Sequence, residues 1–291
     1  MAWGLLEEVD GDGRVGFFTD TSVCIGCKAC EVACKEWNHV PSNALSFTGE
    51  SYDHTSALDA NNWRHVAFIE QRLPDITVAP DAGIFDAAPR SDGPPASGSA
   101  QDMEFRWLME SDVCKHCTSA GCLDVCPTGA LFRTEFGTVV VQEDVCNGCG
   151  YCVPACPFGV IDRREGDGRV WKCTMCYDRL RGGQEPACSQ ACPTDSIQFG
   201  PLDELRTRAA ERLDAVVAAG VPGAQLYLAD EDDGVGGGGA FFLLLDDPEV
   251  YGLPPDPVVP TRTLGRLWGW AGAAAVALAG AVVAAMGSDG R

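Results

Sequence analysis

Between residues 146 and 157 the chain reads CNGCGYCVPACP, which is Cys-x2-Cys-x2-Cys-x3-Cys followed by proline. Residues 24–34 repeat this cysteine spacing. Two further groups widen one interval and are also followed by proline. They are Cys114-x2-Cys117-x4-Cys122-x3-Cys126 and Cys173-x2-Cys176-x11-Cys188-x3-Cys192. The four groups account for all 16 cysteines of the 291-residue chain, so its cysteines are organised as one motif repeated four times.

The spacing is that of the bacterial ferredoxin run, which holds [4Fe-4S] cubes. Three thiolates two residues apart can surround three corners of a cube, whereas the fourth faces away and serves a partner cluster. The adjacent second and third groups then form one compact dicluster unit, and the first and fourth form another around it. This crossed arrangement predicts four [4Fe-4S] clusters with these ligand sets: Cys24, Cys27, Cys30 and Cys192; Cys34, Cys173, Cys176 and Cys188; Cys114, Cys117, Cys122 and Cys156; Cys126, Cys146, Cys149 and Cys152.

Three other uses of the cysteines are less consistent with the pattern. Tetrahedral zinc sites need only two C-x2-C pairs, with no third and fourth cysteine at these intervals and no following proline. Disulfides have no sensible framework among partners spaced this tightly. A self-contained iron–sulfur enzyme would need an open iron, but 16 cysteines fill 16 ligand positions.

The chain is strongly acidic, with 42 Asp and Glu against 21 Lys and Arg, a formal net charge of −21. A phosphate backbone would be repelled by such a field, so we expect no nucleic-acid partner. The glycines of Gly234–Gly239 match G-x-G-x-x-G, but they follow Asp230–Asp233 and precede a strand-like run. A dinucleotide loop follows a strand and opens a helix, so we interpret these glycines as a turn and expect no nucleotide.

Polar residues near the motifs allow two interpretations each. Lys28, Lys115 and Lys172 could raise a cluster's potential or be solvated charges. His116 is favoured as a hydrogen-bonding neighbour of a cluster, because the cysteines already complete the coordination. The three remaining histidines, and the carboxylates, form no arrangement typical of catalysis. They are His39, His54 and His65.

Outside the motifs the sequence predicts few long periodic segments before residue 200, so we expect bound cofactors rather than a conventional hydrophobic core to hold the domain. Asp203 can cap a helix with Leu205, Ala209, Leu213, Val216 and Val217 on one face, which Gly220 would end. Residues 240–245 have strand character. The predicted divisions are a cluster domain at 15–200, containing an inner unit at 105–165 and an irregular insertion at 75–103, an acidic Gly-rich extension at 201–262, and an anchor at 263–287.

The C-terminal stretch Leu267–Met286 has neither charge nor proline. A helix of this length is about 30 Å long, which matches the hydrocarbon thickness of a bilayer. We therefore predict a single-pass membrane helix, with a buried Ala-rich helix as the alternative. Trp268 and Trp270 suit the headgroup region, while Arg262 and Arg266 only weakly favour a cytoplasmic cluster domain. The first ten residues turn acidic without a basic segment, so no cleavable export signal is expected.

The motifs resemble those of the four-cluster iron–sulfur subunits that accompany molybdopterin oxidoreductases of the dimethyl sulfoxide reductase family. Among these, the chain is most similar to the beta subunits of membrane-bound formate dehydrogenases. The resembling stretches are residues 24–38, 62–71, 148–158, 172–179 and 183–188. The insertion at 75–103 and the sparsely charged C-terminus depart from the family pattern.

The resemblance implies an α+β fold of two interleaved ferredoxin-like dicluster modules, one inserted in the other, followed by a transmembrane helix. It also implies a catalytic partner subunit that oxidises formate at a molybdenum or tungsten pterin, and an integral membrane subunit that reduces quinone. The chain itself would have no catalytic residues and would carry electrons between them. The alternative is the same relay serving a polysulfide, sulfoxide or nitrate reductase supplied by quinol.

Overall fold

The computed structural model describes residues 13–42, 52–53, 55–73 and 104–288. The predicted insertion at 75–103, the N-terminal ten residues, His54 and the last three residues lie outside this range. Helices of the described chain are α1 (Ala29–Trp37), α2 (Gly121–Asp124), α3 (Tyr177–Arg181), α4 (Ala187–Gln190), α5 (Leu202–Ala218) and α6 (Leu264–Ser288). Its strands are β1 (Val15–Asp20), β2 (Arg64–Leu73), β3 (Glu104–Val113), β4 (Leu131–Arg133), β5 (Val139–Val141), β6 (Asp162–Arg163), β7 (Val170–Trp171), β8 (Ile197–Pro201), β9 (Gln225–Tyr227) and β10 (Ala240–Leu244).

A four-stranded sheet with the order β8-β1-β10-β9 joins distant parts of the chain. Strand β1 pairs antiparallel with β8 and parallel with β10, and β9 pairs antiparallel with β10. Residues before the first cysteine group thus lie beside residues that follow the last one. The insertion of one dicluster unit in the other, and the domain limits at 105–165, stay predictions.

The sheet has a conventional hydrophobic core, contrary to our expectation. Every residue of β1 and β10 is buried, and the ring of Phe18 stacks on that of Phe241 at 5.4 Å. Helix α5 covers one face with Leu205 and Ala209, both almost fully buried. Full burial of a phenylalanine contributes roughly 2–3 kcal/mol, so these strands stabilise the fold substantially without any cofactor.

Helix α5 begins two residues earlier than a cap at Asp203 implies, so the predicted N-cap residue is wrong. Pro201 is the N-cap residue, and Asp203 lies in the first turn, where a carboxylate still interacts favourably with the helix dipole. Val217 is exposed rather than part of the buried face. The predicted end is correct, because Gly220 follows the helix with a φ of +96°.

The remaining strands form three separate antiparallel pairs: β2 with β3, β4 with β5, and β6 with β7. The pair β2–β3 is in register over ten residues, from Arg64 opposite Val113 to Leu73 opposite Glu104. Leu73 and Glu104 form the last pair at one end of this ladder, and the predicted insertion lies in the sequence between them. The glycines at 234–239 lie directly before β10, so a strand follows them rather than a helix.

Helix α6 stands apart from the rest of the described chain. Residues Pro260–Met286 are long and apolar enough to cross a membrane, with a mean hydropathy of 1.8 and none of that window buried. The alternative of a helix buried within this chain is therefore wrong for the described residues. A hydrogen bond from the Thr261 hydroxyl to the Asp124 carboxylate ties the start of this segment to α2.

Candidate iron–sulfur centres

The structure brings together each set of four cysteines that the crossed arrangement predicts. Site 1 is a pocket whose lining includes Cys24, Cys27, Cys30 and Cys192. Gly26 and Lys28 adopt left-handed φ values of +64° and +57°, which curl the loop around this space before Cys30 enters α1. Cys192 arrives from the other end of the cluster region, just after α4.

Site 2 is formed by Cys34, Cys173, Cys176 and Cys188, all of which are buried. Burial raises the pKa of Cys34 well above its usual value, and the thiolates of the other three cysteines raise it further. The amide of Asn38 lies within 3.7 Å of the Cys34 sulfur and 3.6 Å of the Cys176 sulfur. Since Cys30 and Cys34 both lie on α1, one helix contributes to two neighbouring sites.

Site 3 is a pocket whose lining includes Cys114, Cys117, Cys122 and Cys156. Apolar side chains, including those of Val139, Val160 and Ile161, complete its wall. Burial raises the pKa of Cys122 to about 12, an effect that Lys172 opposes and neighbouring thiolates strengthen. A thiolate here therefore needs a positive partner, which bound metal would supply.

Site 4 combines Cys126 with Cys146, Cys149 and Cys152. Burial raises the pKa of Cys152 to about 11, and the thiolates of the other three also raise it. The pKa of Cys126 lies below its usual value. Burial acts to raise it, but hydrogen bonds from backbone N–H groups and from the Thr128 hydroxyl have the larger effect. Cys149 is exposed, so this site reaches the protein surface.

These arrangements fit cubic clusters better than single ions. In the described ranges, no three Cys, His, Asp or Glu side chains meet closely enough to hold one metal ion. The cysteines instead surround a volume, as the corners of a [4Fe-4S] cube require. His116 lines the site 3 cavity and accepts a hydrogen bond from the Val139 N–H at 3.0 Å through Nδ1. Its Nε2 is buried without a partner among the described residues, so a donor is available for cluster sulfur.

The pKa of His116 lies well below its ordinary value, chiefly because of burial and then because of the positive charge of Lys172. Because Nδ1 accepts a hydrogen bond, the proton of a neutral ring would lie on Nε2. This position supports the predicted hydrogen-bonding role. Of the other histidines, His65 lies between two carboxylates, with 3.9 Å from its Nδ1 to Oε1 of Glu31 and 3.8 Å from its Nε2 to Oδ2 of Asp53.

The order of the four sites follows from which of them contain cysteines close enough to interact electrostatically with a cysteine of another site. Cys188 of site 2 raises the pKa of Cys30 of site 1, after burial and against Arg64. Cys114 of site 3 raises that of Cys173 in site 2, after burial. Cys152 of site 4 likewise contributes to the raised pKa of Cys122 in site 3. The order along the row is therefore 1, 2, 3, 4.

Buried cations are the main feature that sequence reasoning missed or left open. Lys115 and Lys172 are 0% and 2% exposed, so the interpretation as solvated charges is wrong for both. Lys115 pairs with Asp112, whereas Lys28 is partly exposed and pairs with Glu31 and Asp53. Arg64 is 1% exposed, and it lies outside every cysteine motif, so motif spacing gave no signal for it.

Two family models described as 4Fe-4S dicluster domains match the chain, one at residues 23–130 and the other at 105–202. Together these ranges contain all four cysteine groups. The protein is thus of the 4Fe-4S dicluster class.

Comparison with individual curated relatives defines the family of this chain more narrowly. The formate dehydrogenase iron-sulfur subunit of Haemophilus influenzae is 37% identical over 82% of this chain and 68% of its own length. The nitrate-inducible formate dehydrogenase iron-sulfur subunit of Escherichia coli is 36% identical over 89% of this chain and 78% of its own length. A component of the anaerobic dimethyl sulfoxide reductase of E. coli is 35% identical over 67% of this chain and 77% of its own length. The chain belongs to the family of iron–sulfur subunits that these relatives represent, which confirms the resemblance stated from the cysteine motifs.

Proposed function

We propose that this chain is a non-catalytic subunit that relays electrons through four [4Fe-4S] clusters, held by the cysteines of sites 1 to 4. When bound, each cluster would take up and release one electron at a time. The residues of the chain hold the clusters in a row, exclude water from the inner sites and set the charge around them.

The observation that carries the proposal is the pattern of exposure along the row. Cys27 of site 1 and Cys149 of site 4 are exposed, whereas all four cysteines of site 2 are buried. At site 3, Cys114 is buried and the other three cysteines are partly buried. A row whose two exposed cysteines lie at opposite ends suits the entry of electrons at one end and their exit at the other.

The membrane helix distinguishes the two ends. Segment 260–263 precedes α6 and is bonded through Thr261 to Asp124 of α2. Asp124 lies between Cys122 of site 3 and Cys126 of site 4. Site 4 is therefore the end nearer the lipid bilayer and an integral membrane subunit that reacts with quinone. Site 1 is the end that would face a molybdopterin-containing catalytic subunit.

Formate is the favoured substrate of that catalytic subunit. The formate dehydrogenase relatives cover 82% and 89% of this chain, whereas the dimethyl sulfoxide reductase relative covers 67%. Electrons from formate would then travel from site 1 to site 4. The second candidate is the same relay run in reverse from quinol to a reductase of sulfoxide, polysulfide or nitrate, which the relative in dimethyl sulfoxide reductase supports.

Purification from the native membrane tests both versions. We expect a co-purifying molybdopterin subunit and an integral membrane subunit, with transfer of electrons from formate to quinone by the whole complex. The isolated chain should hold about 16 irons and show no formate turnover. Turnover by the isolated chain would contradict the relay, and a partner that reduces sulfoxide instead would select the second candidate.

A further inference from the structure

Arg64 lies between sites 1 and 2, at the start of β2. Its Nη1 donates hydrogen bonds to the Ser111 carbonyl oxygen at 3.1 Å and to the Ser111 hydroxyl at 2.9 Å. That hydroxyl lies 3.2 Å from the sulfur of Cys30 in site 1. On the other side, Cys188 of site 2 is the cysteine that interacts most strongly with the guanidinium electrostatically. One fully buried cation therefore lies between the two sites, linked to site 1 through Ser111 and close to Cys188 of site 2.

The environment of Arg64 points to an anionic partner on each side. Cysteines of both sites surround the guanidinium: Cys30 of site 1, and Cys188, Cys173 and Cys34 of site 2. Its Nε and Nη2 are buried without an acceptor among the described residues. Because an unpaired buried charge is very costly, these donors require acceptors, and cluster sulfurs at sites 1 and 2 would provide them.

Lys172 occupies the equivalent place between sites 2 and 3. Its Nζ donates to the carbonyl oxygens of Cys173, at 2.9 Å, and of Val139. Lys172 lines the site 3 cavity with Cys114 and Cys122, and it directly precedes Cys173 of site 2 in the sequence. It is the second fully buried cation set between consecutive sites.

Site 4 has a different kind of cation. Arg169 interacts with Cys146, but its side chain is 38% exposed and forms an ion pair with Asp167. Water and the neighbouring carboxylate screen an exposed charge of this kind. Its effect on a cluster at site 4 is therefore small.

We propose that Arg64 and Lys172 are positioning residues that each act as a counter-charge shared by two neighbouring clusters, Arg64 for sites 1 and 2 and Lys172 for sites 2 and 3. This inference rests on the proposed function. A buried positive charge stabilises the reduced form of a cluster, which is more negative than the oxidised form. Site 2 is flanked by both cations, so its cluster gains most from them. The cluster at site 4 gains least.

The test is a redox titration of the whole complex, followed by electron paramagnetic resonance, with Arg64→Met and Lys172→Met. In each variant we expect two of the four clusters to become harder to reduce, by roughly ten- to a hundredfold in the equilibrium constant. A tenfold change corresponds to about 59 mV for a one-electron couple. One cluster should shift in both variants, and one should shift in neither.

Charge-conserving variants and a surface variant are the controls. Arg64→Lys and Lys172→Arg should keep the reduction potentials of the four clusters close to those of the wild type. Arg169→Gln should change the equilibrium constant for reduction of each cluster by no more than about twofold. A purely structural role would not be rescued by charge. Unchanged potentials in the methionine variants, or equal shifts of all four clusters, would overturn the inference.

A further variant covers failure of Arg64→Met to assemble. Arg64→Gln removes the positive charge but keeps an N–H donor for Ser111, so the clusters at sites 1 and 2 should again become harder to reduce. Unchanged potentials at both sites in this variant would also overturn the role of Arg64. Iron content separates this inference from the proposed function, because a wild-type complex without clusters at these sites would refute the relay itself.

Discussion

Replacing Cys192 by serine tests the crossed arrangement of ligands. In the structure Cys192 lines the site 1 cavity with Cys24, Cys27 and Cys30, although it is closer in sequence to Cys188. The wild-type chain should hold four clusters of four irons, or about 16. Loss of the Cys192 thiolate should remove the site 1 cluster, leaving about 12 irons and reducing the iron–sulfur absorbance by about a quarter.

Double variants make the test independent of how severe a single loss is. If Cys192 belongs to site 1, Cys24→Ser with Cys192→Ser should lose no more than one cluster and keep about 12 irons. Cys173→Ser with Cys192→Ser should lose two clusters and keep about 8. Uncrossed ligation, in which Cys192 completes the set of Cys173, Cys176 and Cys188, predicts the opposite result for the two pairs.

The assay is iron and acid-labile sulfide analysis of the purified complex, with Thr194→Ser as control. Thr194 lies beside Cys192, with 3.8 Å between its hydroxyl and the sulfur, and the serine keeps that hydroxyl. This variant should retain about 16 irons. The reasoning fails if the Cys24–Cys192 pair loses about 8 irons while the Cys173–Cys192 pair loses about 4.

Three further predictions concern other parts of the molecule. Deletion of α6 should move the chain, expressed alone, from the membrane fraction to the soluble fraction with unchanged iron, because none of the apolar window of this helix is buried against the described residues; a pelleted variant would contradict this. At Gly148 a Cβ would lie 2.4 Å from the Gly168 carbonyl oxygen, so Gly148→Ala should lower site 4 iron, whereas Gly159→Ala, with a similar φ and open space, should cost only about 1–2 kcal/mol of unfolding free energy and keep its iron. Burial, and then Asp112, raises the pKa of Glu110 well above its usual value, so the folded chain holds a proton that the unfolded chain releases, and stability falls as pH rises above about 4.3. Glu110→Gln should flatten that decline in denaturation followed by iron–sulfur absorbance between pH 6 and 9, and a slope equal to the wild type would refute the buried neutral carboxyl.

Cysteine spacing predicted the grouping of thiols because cluster ligation is a local geometric requirement. A cube needs ligands at fixed separations, and the short loops between Cys146 and Cys156 leave few ways to meet it. The same reasoning extended to the distant Cys34 and Cys192, since the fourth cysteine of a run faces away from the first cube. The structure places both in the sets that this reasoning predicts.

The sheet and the buried cations were not predictable in the same way. Strands β1 and β10 are covered on both faces, so their sequences VGFFTD and AFFLL lack the alternation that marks a half-buried strand. β1 is short and separated from its partners by most of the chain, so local sequence gives no sign of the pairing. Arg64 looks like an ordinary surface arginine until β2 and β3 pair and bring it beside Ser111.

The pairing of β1 with β8 and β10 has a consequence for biosynthesis. Cys24 to Cys34 leave the ribosome early, but the strands that hold them in place, and Cys192, are made much later. Sites 3 and 4 draw all their cysteines from residues 114–156 and can be completed while the chain is still growing. Sites 1 and 2 stay open until residues 173–192 and 240–244 emerge, so we expect pulse-labelled iron to enter sites 3 and 4 first. Early and equal labelling of all four sites would contradict this order, which is set by topology rather than by metal affinity.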